Sequence, residues 1–282
     1  MLNNILLSSV TDILNNMDIF KYPLIVGILL CFSAGILGVI LVLKRYSMIG
    51  DGLSHVTFGV FAIALSFEFV KTSYAIVIPV VILAAYVLLR IGESTKIKGD
   101  AAIGLISSAS LAIGYLVGSK NGFTTDIDSY MFGSIAFASR EDLYYLIPVA
   151  SLILITFILL YNRIFVVVFD EEFAKATGIK TRAFNMFFAV LTAVTVVVGI
   201  RIMGSLLISA IIILPALSAM QVFTKFKKVI IATPIISITS FLIAFFCFMD
   251  FSSAASIVVV NLCVFFLFVL IGLIKKLILN KA

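Results

Sequence analysis

The stretch "YPLIVGILLCFSAGILGVILVLKRYSMIGDGLSHVTFGVFAIAL", residues 22 to 65, decides what kind of fold this chain adopts. Its first half reaches Leu43 without a charge; Lys44 and Arg45 interrupt, and a second apolar run follows. A helix needs roughly 20 apolar residues to cross about 30 Å of hydrocarbon, so the stretch reads as two spans joined by a basic turn. The pattern continues, with candidate spans at 20–43, 46–66, 72–91, 101–118, 143–162, 183–200, 203–223, 229–248 and 254–274. The expected fold is all-α, a polytopic transmembrane helical bundle of eight or nine spans. Two places leave the count open. Residues 124–139 ("TTDIDSYMFGSIAFAS") read as a re-entrant or surface helix, and 183–200 with 203–223 reads as two spans or one bent unit. No ten-residue alternation of the kind a β-barrel requires is present.

Composition agrees. The chain is 63% hydrophobic and 12% charged, well outside the range of soluble domains. The formal charge of +6 would suit nucleic acid, but the basic residues sit in short loops, where membrane topology accounts for them and no polyanionic partner is needed. Fifteen of the twenty Lys and Arg fall on one side of the alternating spans, Lys44, Arg45, Arg163 and Lys175 among them, and five on the other. The bias predicts an external N-terminus and a cytoplasmic C-terminus. Residues 1–19 place Leu2, Ile5, Leu6, Val10, Ile13, Leu14 and Met17 at helical spacing among polar residues, an expected interfacial helix. The transmembrane bundle is expected to occupy 20–274, and 275–282 to form a cytoplasmic tail. The first basic residue is Lys21, so the basic start of a signal sequence is not expected. Cys31, Cys247 and Cys263 lie in apolar runs without metal-ligand spacing and read as buried, reduced packing residues.

Asp51 and His55, the only histidine, break the apolar pattern of the second span. Residues four apart share a helix face. Counted from the Lys44–Arg45 edge, at Arg45, Asp51 lies about 9 Å deep and His55 about 15 Å, near mid-membrane. An acid there is costly and by default marks a path for a substrate or ion. A carboxylate with an imidazole suits a borderline divalent cation such as Zn²⁺, Mn²⁺ or Fe²⁺, and two ligands fit passage better than storage. Gly50, Gly52 and Ser54 flank the pair and would permit close helix approach. From the residues alone three readings stand: a structural pair, a metal site and a proton relay.

Four ordered motifs carry a resemblance. "MIGDGLSHVTFGVFAIAL" resembles the second-helix Gly-Asp-x-Leu-x-His motif of the ABC-type zinc/manganese/iron permeases. "YMFGSIAFASREDLYYL", "FDEEFAKATGI" and "GSLLISAIIILPALSA" are similar to three further blocks of that family, in the family's order. Two departures are Glu171, where the family often has Pro, and Ser252–Ser253, where Pro-Ser or Pro-Gly is common. The resemblance, which runs from about 20 to 265, implies the membrane subunit of a bacterial importer in the cytoplasmic membrane. It implies no catalytic residue and no permanently bound cofactor, with Zn²⁺, Mn²⁺ or Fe²⁺ as cargo held by Asp51 and His55. It also implies three partners: a cytoplasmic ATPase that binds ATP, an external metal-binding protein and a second permease copy, expected to be identical.

Residues 170–178 read as a short helix capped by Asp170, charged favourably by Glu171 and Glu172, and stopped by Gly178. On spacing it is a connector; the resemblance makes it the coupling helix that seats on the ATPase, with Phe173 and Ala174 in the seat. In "IMGSLLISAIIILPALSAM", Gly204, Leu207, Ser209 and Pro215 belong either to an ordinary kinked packing helix or to one that lines or gates the path. No GxxxxGK[ST] loop occurs, so ATP hydrolysis is expected on a separate subunit. The rivals are a proton-coupled carrier with Asp51 and His55 as relay, and an ABC permease for a siderophore or cobalamin.

Overall fold

Lys44 and Arg45 close the first helix with a tight turn. In the computed structural model, Arg45 takes φ +59°, its N–H bonds to the Val42 carbonyl, and the Tyr46 N–H bonds to Leu41. This pair of bonds is a Schellman closure, with Arg instead of the usual Gly in the left-handed position. The structure describes residues 17–66, 73–94, 99–120, 133, 138–247 and 253–279. The expected interfacial helix at 1–19, apart from its last residues, and most of 124–139 lie outside them.

Ten helices are described: α1 Met17–Leu43, α2 Ser47–Ser66, α3 Ser73–Ser94, α4 Gly99–Lys120, α5 Arg140–Phe169, α6 Glu171–Ala176, α7 Thr181–Met203, α8 Ser205–Val222, α9 Phe226–Cys247 and α10 Ser253–Leu279. Nine long helices therefore stand where the nine candidate spans were read. Seven are long and apolar enough to cross a bilayer, while the apolar parts of α3 and α8, Ile76–Ile91 and Leu207–Val222, are shorter. The chain is a multi-pass membrane protein.

With no water in hydrocarbon, each backbone group must be satisfied within its own helix. Small polar side chains follow the same rule: Ser33, Thr57, Thr192, Thr195, Ser218 and Thr233 each donate to the carbonyl four residues earlier. α2 sits among α4, α3, α8 and α7, and α1 packs against α8, α9, α5 and α7. A core including Leu30, Leu53, Phe58, Phe61, Val197, Ile208 and Phe241 joins these helices. α10 turns most of its surface outward, and Cys263 lies exposed on it, against the burial expected of all three cysteines; Cys31 is buried and Cys247 half-buried. An outer helix keeps apolar residues on the lipid side as well, so apolar sequence alone does not mark burial.

Two boundaries differ from the sequence reading. α5 runs on past Asn162 and Arg163 to Phe169, about 45 Å at 1.5 Å per residue. Those polar residues lie within the helix and do not end it. Asp142 fastens its start, its carboxylate accepting from the Ser139 N–H at 2.8 Å and hydroxyl at 3.0 Å.

Gly204 is the second difference. It does not sit within a helix as a packing residue; it separates α7 from α8 with φ +80° and ψ 163°. A side chain would strain this backbone, and one residue of break makes 183–200 and 203–223 two helices instead of one bent unit. Non-helical backbone at membrane depth requires cover by protein. Gly133 supplies it: a Cβ there would collide with Met203 and Gly204.

Candidate metal site

α2 carries the pair, and glycine seats it. A Cβ on Gly59 would stand 2.6 Å from the Ser110 carbonyl oxygen, so α2 and α4 touch backbone to backbone there, and one on Gly52 would stand 2.7 Å from the Ile103 side chain. Gly50 does not take part in so close an approach, since a Cβ there would meet Ile212 at an ordinary 3.5 Å. Ser54 is buried and faces Ser209 of α8, hydroxyl to hydroxyl at 3.4 Å. Leu207 is buried beside it, and Pro215 lies within α8. The structure thus brings Ser209 of α8 to the helix that carries Asp51 and His55, and puts Gly204 at the break where α8 begins.

Asp51 and His55 share one face as the spacing requires. Their Oδ2 and Nε2 atoms stand 3.8 Å apart, with side chains 36% and 18% exposed. That distance is longer than a hydrogen bond, so the structural-pair reading lacks the bond it needs. Two ligands at about 2.1 Å from a tetrahedral cation stand roughly 3.4 Å apart, so a small side-chain rotation converts the pair into a chelate. The other ring nitrogen, Nδ1, is buried without a hydrogen-bond partner. Ligating imidazoles at tight sites have that nitrogen fixed by a neighbour, and its lack here suits brief contact. Among the described residues, no group of three or more His, Cys, Asp or Glu gathers anywhere, so one chain offers only this pair.

The 170–178 segment forms as expected. Asp170 caps α6 by accepting from the Phe173 N–H at 2.9 Å, and Gly178 closes it at φ +82°. Its residues divide by direction. Ala174 is buried, anchoring the helix on the bundle, while Phe173 is 56% exposed and Glu172 points outward with 87% of its side chain accessible. Glu171 turns inward. It lies 3.1 Å from the Lys44 ammonium, which also donates a short hydrogen bond to Asn185 of α7. Burial pushes the Glu171 carboxyl up, but Lys44 and Thr181 as hydrogen-bond donors, with the charges of Lys44 and Lys175, outweigh it and leave it below its ordinary value. Sequence reading counted Lys44 only as a loop charge and passed over Asn185, whose polar side chain in the apolar run "AFNMFFAV" was the available signal.

The family model of the ABC 3 transport family matches residues 16–272, nearly the whole chain. The chain belongs to that family. It is 32% identical over 202 residues to a probable iron transport system membrane protein of Haemophilus influenzae, covering 71% of each chain. It is 27% identical to the manganese import system permease protein ScaB of Streptococcus gordonii, over 89% of this chain and 91% of that one. The solved structure of PsaBC from Streptococcus pneumoniae in complex with Fab superposes with a TM-score of 0.82 at 25% identity, covering 93% and 95% of the two chains. Membership of an ABC transport family sets aside the proton-gradient carrier.

Proposed function

We propose that this chain is the permease subunit of an ATP-driven importer that moves a divalent transition metal ion into the cell. The observation that carries the reading is the Asp51–His55 pair: an acid and an imidazole 3.8 Å apart in a membrane helix, with no hydrogen bond between them. A cation entering hydrocarbon loses hydration, and the carboxylate charge and ring nitrogen replace part of it. Relatives named for iron and for manganese match an oxygen–nitrogen donor set that accepts either ion. One chain supplies two ligands, so two identical copies facing each other supply four, enough for a full shell.

The basic end of the bundle, where Lys44, α6 and the start of α7 meet, faces the cytoplasm under the charge bias. There the exposed Phe173 and Glu172 meet the ATPase, and an external binding protein delivers the ion at the opposite face. The test is uptake of radiolabelled zinc, manganese and iron by cells expressing wild type, Asp51→Ala or His55→Ala. The expected result is loss of uptake of at least one metal in both variants at normal protein level. Unchanged uptake of all three by both variants refutes the reading.

A further inference from the structure

The charge cluster at the basic end has a position that packing alone does not require. Lys44 ends α1, Glu171 begins α6 and Asn185 lies in the first turns of α7, so one ammonium joins three helices. Its side chain is only 7% exposed, and a charge so buried holds its place only while its partners remain. The macrodipoles favour this arrangement, since a cation sits at the C-terminal end of α1 and an anion at the N-terminal end of α6.

Lys44 is also fixed to α2. Its own N–H bonds to Ile40, the Arg45 and Tyr46 N–H groups close the turn, and the Ile49 N–H bonds to the Tyr46 carbonyl at 2.9 Å. Its ammonium stands 5.9 Å from the Tyr46 ring centroid. The link from Lys44 to the first turn of α2 is therefore hydrogen-bonded at each step, with no slack segment. Asp51 follows about 6 Å along the helix axis from its first residue, Ser47. On the other side, Glu171 is the inward member of a six-residue helix whose remaining acidic residue and Phe173 face outward.

We propose that Lys44 is a positioning residue for transport: it ties α6 to the helix bearing Asp51 and His55, so that displacement of α6 by a partner is delivered to the metal ligands. The inference rests on the proposed importer function and deepens it by naming the link between the two sites. Lys44 touches neither cargo nor ATPase; it acts through Glu171 and the turn at 44–46.

The experiment reconstitutes the complete complex, permease with its ATPase and binding protein, in liposomes, and measures metal uptake and ATP hydrolysis together. Lys44→Met is expected to retain the ATPase on co-purification and keep hydrolysis within about twofold of wild type. Metal moved per ATP should fall at least tenfold. The double exchange Lys44→Glu with Glu171→Lys should regain at least a third of wild-type uptake. Asn185 can turn its amide, whose Nδ2 is buried without a partner, to donate to the new carboxylate. Unchanged metal per ATP in Lys44→Met overturns the proposal. If Lys44→Met does not assemble, the double exchange decides: restored assembly and uptake support the tie, and no restoration overturns it. Wild type that imports no metal under ATP overturns the importer reading itself, an outcome distinct from a defect confined to the variants.

Discussion

Gly59→Ala tests the seat of the helix that carries Asp51 and His55. Gly59 lies one turn beyond His55, where α2 crosses α4, and the added Cβ would stand 2.6 Å from the Ser110 carbonyl oxygen and 3.2 Å from its carbon. Ordinary contact begins at 3.4 Å, and the obstacle is backbone, which cannot rotate away as a side chain can. Across the crossing, Gly114 is equally tight, with a Cβ position 2.7 Å from the Gly59 Cα. The two helices must therefore separate by about 0.8 Å, a gap that forfeits roughly a quarter to a half of each dispersion contact along the seam. Overpacking of this kind costs about 1–3 kcal/mol. Gly104→Ala on α4 is the matched control, because a Cβ there meets nothing within 4 Å. Helical Gly to Ala at an open site gains about 0.5–1 kcal/mol. Thermal unfolding of the purified complex in detergent should place Gly59→Ala several degrees below wild type and Gly104→Ala at or above it, since 1 kcal/mol shifts a chain of this size by about 2–4 °C. A Gly59→Ala protein as stable as Gly104→Ala, with unchanged uptake, would refute the backbone contact.

Further outcomes follow from the basic end. The Glu171 carboxyl has a folded pKa below its ordinary 4.5, so its tie to Lys44 is at full strength above that value and is lost as pH falls through the depressed one. The stability gap between wild type and Glu171→Gln should be constant near neutrality and close only below about pH 4.5; a gap that closes between pH 6 and 8 would contradict the assignment. Phe173→Ala removes an exposed aromatic anchor and should weaken co-purification of the ATPase about tenfold, the usual effect of truncating an interface hot spot. Glu171→Gln should weaken it far less, because that side chain faces the bundle. Equal effects of the two would contradict the division between outward and inward faces.

Much of this architecture was legible in the sequence because bilayer thickness imposes a length on each apolar run. The helical repeat likewise put Asp51 beside His55, and capping chemistry placed both ends of α6 at Asp170 and Gly178. What escaped depends on contacts between distant segments. Gly204 looks like any small residue of a packing helix until its positive φ and the approach of Gly133 are seen. Gly50 and Gly52 are alike in sequence, yet only Gly52 meets a neighbour closely, since that depends on where α4 lies. The Lys44–Glu171–Asn185 cluster joins positions more than 120 residues apart, and no local pattern announces it. The far end of α5 differs for another reason: Asn162 and Arg163 interrupt the apolar run, and the helix continues past them to Phe169.

Anomalous diffraction from crystals of the complex soaked in manganese addresses the central claim most directly. The account predicts a peak about 2.0–2.3 Å from both the Asp51 carboxylate and the His55 Nε2 atom. A manganese peak seated elsewhere in the membrane region, with those two side chains bonded to each other or turned to lipid, would contradict it.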